Sequence, residues 1–223
     1  MHISLKFKVL SFLRRNKGIF ILLGGVAIFR TAIADWNPVP SSSMEPTLYP
    51  GDVVLVSRLA YGASIPFTDF RLFEIGQPER GDIVTFYPPH TDKLLVKRVI
   101  GIPGDRIDIH GTRISVNGAL LSQEFFEEEP DKREGVEVID GHSHSIQYTQ
   151  GIPLNLKDLS LTVPEGKYFA MGDNRNNSVD SRIWGFFDQD KITGKVTHIG
   201  VSFSSKRTLN ERVALPIDTR KRG

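Results

Sequence analysis

The chain has 223 residues, of which 39% are hydrophobic and 24% charged, and its formal net charge is +2. These values are ordinary for a globular protein with one domain or two small ones, and the charge is too small to predict nucleic acid as a partner. Because the chain has no cysteine, disulfides, thiol catalysis and cysteine-ligated zinc are excluded.

The N-terminal segment has the composition of a membrane-targeting sequence. Residues 1–17 carry five basic and no acidic residues, and an uncharged stretch, GIFILLGGVAIF, follows. One interpretation is a signal peptide cleaved after the A-I-A sequence at 32–34. We favour the other, a retained transmembrane helix over 18–36, because Arg30 lies unusually close to that cleavage point and this length spans roughly 30 Å. The basic flank would then stay in the cytoplasm, with 37–223 outside it.

After this segment, short apolar runs alternate with turn residues, a pattern typical of β-strands. These runs are DVVLVSRL (52–59), GDIVTFY (81–87), KLLVKRVIGI (93–102) and KVTHIGVSF (195–203). The Asn-Gly pair at 117–118 predicts a two-residue hairpin turn. Residues 122–160 are polar and rich in turn residues, which predicts an insertion, either a subdomain or a flap. We therefore expect a β-domain over 37–121 and 161–206, followed by a basic tail over 207–223.

Lys97 lies in the third apolar run, at a position that favours desolvation. In a strand, Leu95, Lys97 and Val99 share one face, so two aliphatic side chains flank the lysine. Burial disfavours the ammonium form, and lowering its pKa from about 10.4 to about 8 takes roughly 3 kcal/mol. Such a lysine can act as a general base near neutral pH, although a lysine that reaches solvent from a strand edge has the same sequence pattern.

Three consecutive serines in PSSSMEPTL, residues 40–48, are candidates for a nucleophile, which needs a nearby base and an oxyanion site. None of the six histidines lies in a sequence context typical of a Ser-His-Asp triad. We interpret His142 and His144 as solvated loop residues rather than metal ligands, since no third ligand is evident. The sequence therefore favours a Ser-Lys dyad over a histidine-dependent triad.

A third segment, GDNRNNSVDSR at 172–182, concentrates acidic, amide, hydroxyl and basic side chains. A loop of this kind can form a buried hydrogen-bond network that positions another residue. It can equally be an ordinary surface turn rich in Asn and Asp. The segment by itself does not decide between these two interpretations.

Taken together, PSSSMEPTLYPGD, KRVIGIPGD and GDNRNNSVDSRIWGF, in this order after an N-terminal hydrophobic segment, resemble the hallmark motifs of bacterial type I signal peptidases. The resemblance extends from about Trp36 to Phe203 and is weakest in 122–160. It implies a mainly β fold of coiled antiparallel sheets, with an inserted polar subdomain and one preceding transmembrane helix. It also implies a membrane-bound Ser-Lys endopeptidase that needs no metal or organic cofactor.

The same resemblance implies a role for individual residues. Ser43 is expected to be the nucleophile and Lys97 the general base. Ser41 Oγ and the Ser43 N–H are expected to hold the oxyanion, and Ser178 to hydrogen-bond the lysine. Ser42 replaces the glycine that is usual in the family, and we expect it to act only as a spacer. The residues expected to support the site are Asp173, Asp180 and Arg182, and those expected to line the substrate pocket are Val39, Leu95 and Val96.

The implied activity is removal of N-terminal signal peptides from exported preproteins, with cleavage after small residues at −1 and −3. The expected partners are these preproteins and the lipid bilayer, near the secretion translocon. The expected location is the bacterial cytoplasmic (inner) membrane, with the catalytic domain in the periplasm. Two alternatives stay open: a peptidase dedicated to one substrate, and an anchored, non-catalytic β-domain that binds exported segments. The presence of every catalytic-type residue argues against the second.

Overall fold

The computed structural model describes residues 12, 14–32, 34–64, 71–153, 158–208, 211 and 213–217. Its α-helices are α1 (Lys17–Ala32) and α2 (Ser181–Trp184), and short 3-10 helices cover Ser42–Met44, Arg58–Ala60 and Gln189–Lys191. The strands are β1 Ala34–Pro38, β2 Asp52–Ser57, β3 Gly62–Ser64, β4 Arg71–Glu74, β5 Ile83–Phe86, β6 Leu95–Gly101, β7 Arg106–His110, β8 Arg113–Val116, β9 Ala119–Leu120, β10 Ser122–Glu128, β11 Lys132–Ile139, β12 His142–Thr149, β13 Leu159–Thr162, β14 Lys167–Met171, β15 Phe187–Asp188, β16 Ile192–Ser202 and β17 Val213–Pro216.

The largest sheet has eight strands in the order β1-β2-β16-β5-β6-β14-β15, and β17 pairs with β16 beside this path. Neighbouring strands are antiparallel throughout. β16 pairs with both β2 and β5, and its register shifts along each pairing. Such bulges bend a strand and increase its twist, so the sheet curls here. The prediction of a mainly β, antiparallel fold is confirmed.

Smaller sheets follow β6 in the chain. One has the order β13-β7-β8-β9, and another is the meander β10-β11-β12, formed from the first part of the predicted insertion. β13 lies near the end of that insertion but pairs with β7. The predicted hairpin turn joins β8 to β9, and both Asn117 and Gly118 have positive φ, 54° and 81°, as a tight hairpin turn of this type requires.

The buried apolar side chains form separate clusters. One cluster, made by Val39, Met44, Leu48, Val54, Val56, Ile83, Val196 and Ile199, lies beneath the serine run. Met44 and Leu48 are 1% and 0% exposed. Their burial attaches the turn that carries the three serines to the core of the largest sheet.

Helix α1 is apolar, and its side chains over residues 17–26 are exposed: Ile21 and Leu22 are 72% and 66% exposed. The predicted span continued to Trp36, but the helix ends at Ala32 and Trp36 lies in β1, paired with Leu55 of β2. No helix in the described part of the chain is both long enough and apolar enough to cross a membrane. Most of the basic flank and the middle residue of the A-I-A sequence lie outside the described residues.

Candidate active site

The serine run forms a tight turn directly after the extended residue Ser41, which has φ −134° and ψ 160°. Ser42–Met44 is a single 3-10 turn, in which the Glu45 N–H donates to Ser42 O at 3.0 Å. Below the turn, the buried side chain of Met44 packs into the core. The backbone around Ser43 is therefore held by its own turn and by apolar burial.

Lys97 of β6 contacts this turn. Its Nζ lies 2.5 Å from Ser43 Oγ, in hydrogen-bond contact. The lysine sits in β6 between β5 and β14 and is 3% exposed. Burial lowers the pKa of Lys97 to about 8, an effect that exceeds the opposing attraction of Asp180 and Asp173. The structure thus pairs a serine hydroxyl with a largely desolvated amine.

The other serines of the run also have defined neighbours. Ser41 Oγ lies 3.3 Å from Ser43 Oγ, so the two hydroxyl groups are within hydrogen-bond distance of each other. Ser42 Oγ accepts a hydrogen bond of 3.0 Å from Asn177 Nδ2. Ser42 therefore does more than separate its neighbours, because its side chain binds the loop formed by the third motif, and its lack of a catalytic role stays a prediction.

Two buried ion pairs hold that loop beside Lys97. Arg98 Nε and Nη2 donate to the two carboxylate oxygens of Asp173, each at 2.8 Å. Arg182 Nε and Nη2 donate to the two carboxylate oxygens of Asp180 in the same way, at 2.8 and 2.7 Å. Burial by itself would raise the pKa of each carboxyl, but the paired arginine outweighs it and the pKa of each is lowered. Both aspartates therefore remain charged, and their arginines compensate them inside the protein.

Asp180 also connects α2 to the strand that precedes the loop. Its carboxylate caps the N-terminus of α2 by accepting from the Arg182 N–H and accepts a further bond of 2.9 Å from the Gly172 N–H. Thr47 Oγ1 donates to Asp173 at 2.6 Å, which ties the same loop to the segment after the serine run. All three predicted support residues thus lie at the site.

Ser178 differs from expectation. Its Oγ is buried and makes no hydrogen bond to Lys97 among the described residues. The hydroxyl lies close to Asp180, whose pKa it helps to lower, and it packs against Gly172. A Cβ on Gly172 would lie 2.3 Å from both Ser178 Oγ and Ser43 O. Glycine is therefore required where the third motif begins.

The predicted pocket residues pack against two different apolar clusters. Val39 is 4% exposed and belongs to the core cluster beneath the serine turn, against which Val96 also packs. Leu95 packs against a different cluster, which contains Val84, Val99 and other buried residues. Leu95 and Val96 are neighbours in β6, and successive side chains of a strand point to opposite faces.

The location of His144 also differs from the one interpreted from the sequence. It lies in β12, is 4% exposed, and has Nε2 3.3 Å from Glu137 Oε1. Glu137 in turn forms a buried ion pair with Arg175. Burial lowers the pKa of His144. The prediction of a solvated loop residue is wrong for His144, because this residue lies in strand β12 and pairs with the buried Glu137 of β11.

Several residues at the site had no role in the sequence-based reasoning. Arg98 could have been found, because alternation along β6 sends it to the opposite face from Lys97, where it meets Asp173. Asn174 and Asn177 contact the serine run, and Thr149 of β12 contacts Asn174. No local sequence pattern marks Thr149, since its contacts join segments that are distant in the chain.

The chain matches known proteins over most of its length. The sequence model of the family described as "Signal peptidase, peptidase S26" matches residues 13–200. The chain belongs to this family. It is 34% identical to signal peptidase I of Pseudomonas aeruginosa, with 87% of this chain and 74% of the relative covered. It is 33% identical to signal peptidase I of Buchnera aphidicola subsp. Schizaphis graminum, with 87% and 77% covered. The crystal structure of a signal peptidase I from Enterococcus faecalis V583 is 28% identical and covers 56% of this chain and 100% of its own, with a TM-score of 0.40.

Membership in the S26 signal peptidases makes this chain a serine endopeptidase. The family predicted from the three sequence motifs is confirmed, and so is the assignment as a hydrolase. The relatives support removal of signal peptides as the activity of this peptidase.

Proposed function

We propose that this peptidase removes N-terminal signal peptides from exported preproteins through a Ser-Lys dyad, with Ser43 as nucleophile and Lys97 as general base. The observation that carries the proposal is the 2.5 Å separation of Lys97 Nζ and Ser43 Oγ. A general base must be both within reach of the proton and unprotonated. A pKa of about 8 leaves roughly a tenth of Lys97 neutral at pH 7 and about half at pH 8.

The reaction then proceeds in two halves. Ser43 Oγ attacks the scissile carbonyl carbon while its proton passes to Lys97 Nζ. The Ser43 N–H and the hydroxyl of Ser41 donate to the oxyanion, a role supported by the 3.3 Å between the two hydroxyl oxygens. Lys97 gives the proton to the leaving amine, and the peptide bond breaks. A water molecule then gives a proton to Lys97 Nζ and attacks the carbonyl carbon of the ester. Lys97 returns this proton to Ser43 Oγ as the ester bond breaks, and the signal peptide leaves with a carboxyl terminus.

The buried charges around Lys97 are suited to its intermediate ammonium form. Asp180 and Asp173 raise the pKa of this lysine, and Arg182 lowers it. The lysine therefore stays basic enough to accept the proton without being protonated permanently. In this mechanism the buried hydroxyl of Ser178 is the acceptor that positions the ammonium once Lys97 has taken up the proton.

The substrate is proposed to bind as an extended strand and to be cleaved after small residues at −1 and −3. β1 ends just before the serine run and is the terminal strand in the order of the largest sheet, so its edge can accept an added strand. Val39, Leu95 and Val96 are retained as the proposed pocket residues. Leu95 and Val96 are partly exposed, whereas Val39 would contribute as a buried wall.

We also propose that the N-terminal segment anchors the enzyme in the cytoplasmic (inner) membrane, with its N-terminus in the cytoplasm and the catalytic domain in the periplasm near the secretion translocon. The exposed apolar side chains of α1, such as those of Ile21 and Leu22, support this placement. A preprotein whose signal segment lies in the same bilayer would meet the site at a high effective concentration.

The test uses the full-length protein in detergent and a generic preprotein with alanine at −1 and −3. Mass spectrometry of the product should place the cut after the signal segment. Ser43→Ala and Lys97→Ala should fold, as judged by circular dichroism, and should not cleave. Lys93→Ala, which changes an exposed lysine of the same segment, should retain full activity.

Each alternative has its own outcome in this assay. Substantial turnover by purified Lys97→Ala would overturn the dyad. A peptidase dedicated to one substrate would leave the generic preprotein intact, and a non-catalytic domain would bind it without cleaving it.

A further inference from the structure

Strand β12 reaches the serine turn through a directed series of hydrogen bonds. Gln147 Nε2 donates to Thr149 Oγ1 at 3.3 Å. Because this hydroxyl oxygen already accepts a bond, its own proton is free to point to Asn174 Oδ1, which lies 3.0 Å away. With its oxygen turned to Thr149, the Asn174 amide presents Nδ2 to Ser42 O at 3.2 Å. Each group in the series is thus oriented by its predecessor.

The carbonyl at the end of this series belongs to the peptide that joins Ser42 to Ser43. It accepts a second bond, of 3.0 Å, from the Glu45 N–H. A trans peptide is planar, with its C=O and N–H pointing in opposite directions. Two donors that hold the Ser42 carbonyl therefore also set the direction of the Ser43 N–H, the backbone donor proposed for the oxyanion.

The loop of the third motif holds the rest of this turn as well. The Asn174 N–H donates to Ser43 O at 3.1 Å, and Asn177 Nδ2 donates to Ser42 Oγ. Asn174 thus binds the carbonyls of two successive residues, one with its side chain and one with its backbone. Neither asparagine touches the side-chain oxygen of Ser43 among the contacts described.

We infer that Thr149 and Asn174 are positioning residues of the peptidase reaction, which aim the Ser43 N–H at the oxyanion through the Ser42–Ser43 peptide. The inference rests on the proposed Ser43 mechanism and assigns a catalytic consequence to β12, a strand of the predicted insertion. Losing an oxyanion donor costs on the order of 10²–10³ in kcat. A Ser43 N–H that is present but points away from the oxyanion should lower kcat by a smaller factor.

The decisive variant is Thr149→Val, which removes the hydroxyl and keeps the shape. We expect kcat on the preprotein to fall by about tenfold, with KM within about twofold of the wild-type value. Thr149→Ser, which restores the hydroxyl, should restore kcat. Asn174→Ala should lower kcat by about 10–100-fold, and adding Thr149→Val to it should lower kcat no further, because the acceptor of the Thr149 hydroxyl is already lost.

Asn176→Ala is the matched control. Asn176 ties the same loop to β12 by accepting from the Thr149 N–H and donating to Thr149 O, each at 2.8 Å, and by donating to Ile152 O. It has no bond to the serine turn among those described, so this variant should lower the melting temperature and largely preserve kcat. A wild-type kcat in Thr149→Val would overturn the inference. So would an equal loss of kcat in Asn176→Ala, because that would indicate a merely structural role.

A separate variant, Ser43→Ala, tests the proposed mechanism itself. If Ser43→Ala still cleaves the preprotein, the Ser-Lys mechanism fails and this inference fails with it. If Ser43→Ala is inactive while Thr149→Val and Asn174→Ala keep wild-type kcat, only the positioning role is overturned.

Discussion

Lys97 Nζ and Ser43 Oγ lie 2.5 Å apart although the two residues are separated by 54 positions in the chain. Lys97 is held inside the largest sheet, and Ser43 is held by a turn attached to the core through Met44 and Leu48. Since both ends of the contact are fixed by burial, it belongs to the folded core rather than to a mobile loop. Its chemistry depends on the protonation of the lysine.

We expect kcat/KM to rise with pH through about 8. Burial lowers the pKa of Lys97 from 10.5 to about 8, and only the neutral amine can accept the Ser43 proton. Activity should therefore be low where the lysine is protonated and should level off above its pKa. The check is a series of initial rates from about pH 6 to about pH 10, and a flat profile around pH 8 would contradict it.

Lys97→Met should abolish cleavage and at the same time stabilise the fold near neutral pH. The folded protein must bury an ammonium group below pH 8, and a thioether of similar length has no such cost. The gain is on the order of 1–3 kcal/mol in the free energy of unfolding. Urea unfolding at pH 7 measures it, and a clear loss of stability would show that Lys97 is not desolvated as described.

The stability of the wild-type protein should itself depend on this lysine. Between about pH 8 and pH 10.5, Lys97 is mostly neutral in the folded state and mostly protonated in the unfolded chain. Because the unfolded state binds more protons in this window, stability contributed by this residue rises with pH. Lys97→Met should lack that rise, which a comparison of the two pH profiles of unfolding can measure.

Removing the charge of Arg182 should move the pH–rate profile to higher pH. Arg182 lowers the pKa of Lys97, whereas Asp180 raises it. In Arg182→Met the lysine therefore keeps its proton to higher pH, and the unpaired Asp180 destabilises the fold by about 3–5 kcal/mol. Arg106→Met, which breaks an exposed pair with Asp108, should leave the profile unchanged. An unmoved profile in folded Arg182→Met would argue against electrostatic coupling.

Gly172→Ala should inactivate the enzyme more than it unfolds it. The added methyl group would lie 2.3 Å from Ser43 O and from Ser178 Oγ, so the serine turn has to move. A displacement of about 1 Å can cost on the order of 10² in rate. In the control Gly200→Ala, the new methyl meets the flexible end of Leu55 at 3.0 Å and should be tolerated. Normal kcat in Gly172→Ala would contradict this account.

Charges on α1 should weaken the proposed membrane attachment. Ile21→Glu combined with Leu22→Glu places two carboxylates on exposed apolar positions of the helix, and burying such charges in lipid is costly. The protein should shift from the membrane pellet to the supernatant on fractionation. Leu120→Glu changes an equally exposed leucine of β9 and should not alter the distribution.

Much of the strand content could be predicted from local patterns. The apolar run predicted over 93–102 contains β6, and the run over 52–59 contains β2, because alternation and turn residues act within a few positions. The boundary of the N-terminal helix was less accurate. The helix ends at Ala32, and Trp36 pairs instead with Leu55 of β2, a strand that lies elsewhere in the chain.

By itself, the sequence determined the residue types of the site, their order and the family to which the chain belongs. It also identified the apolar flanks of Lys97. Only the tertiary structure decided that Lys97 is buried beside Ser43, that Asp173 binds Arg98, and that Asn177 gives Ser42 a partner. The physical reason is that desolvation and hydrogen-bond direction depend on neighbours distant in the chain, which the packing of the sheets brings together.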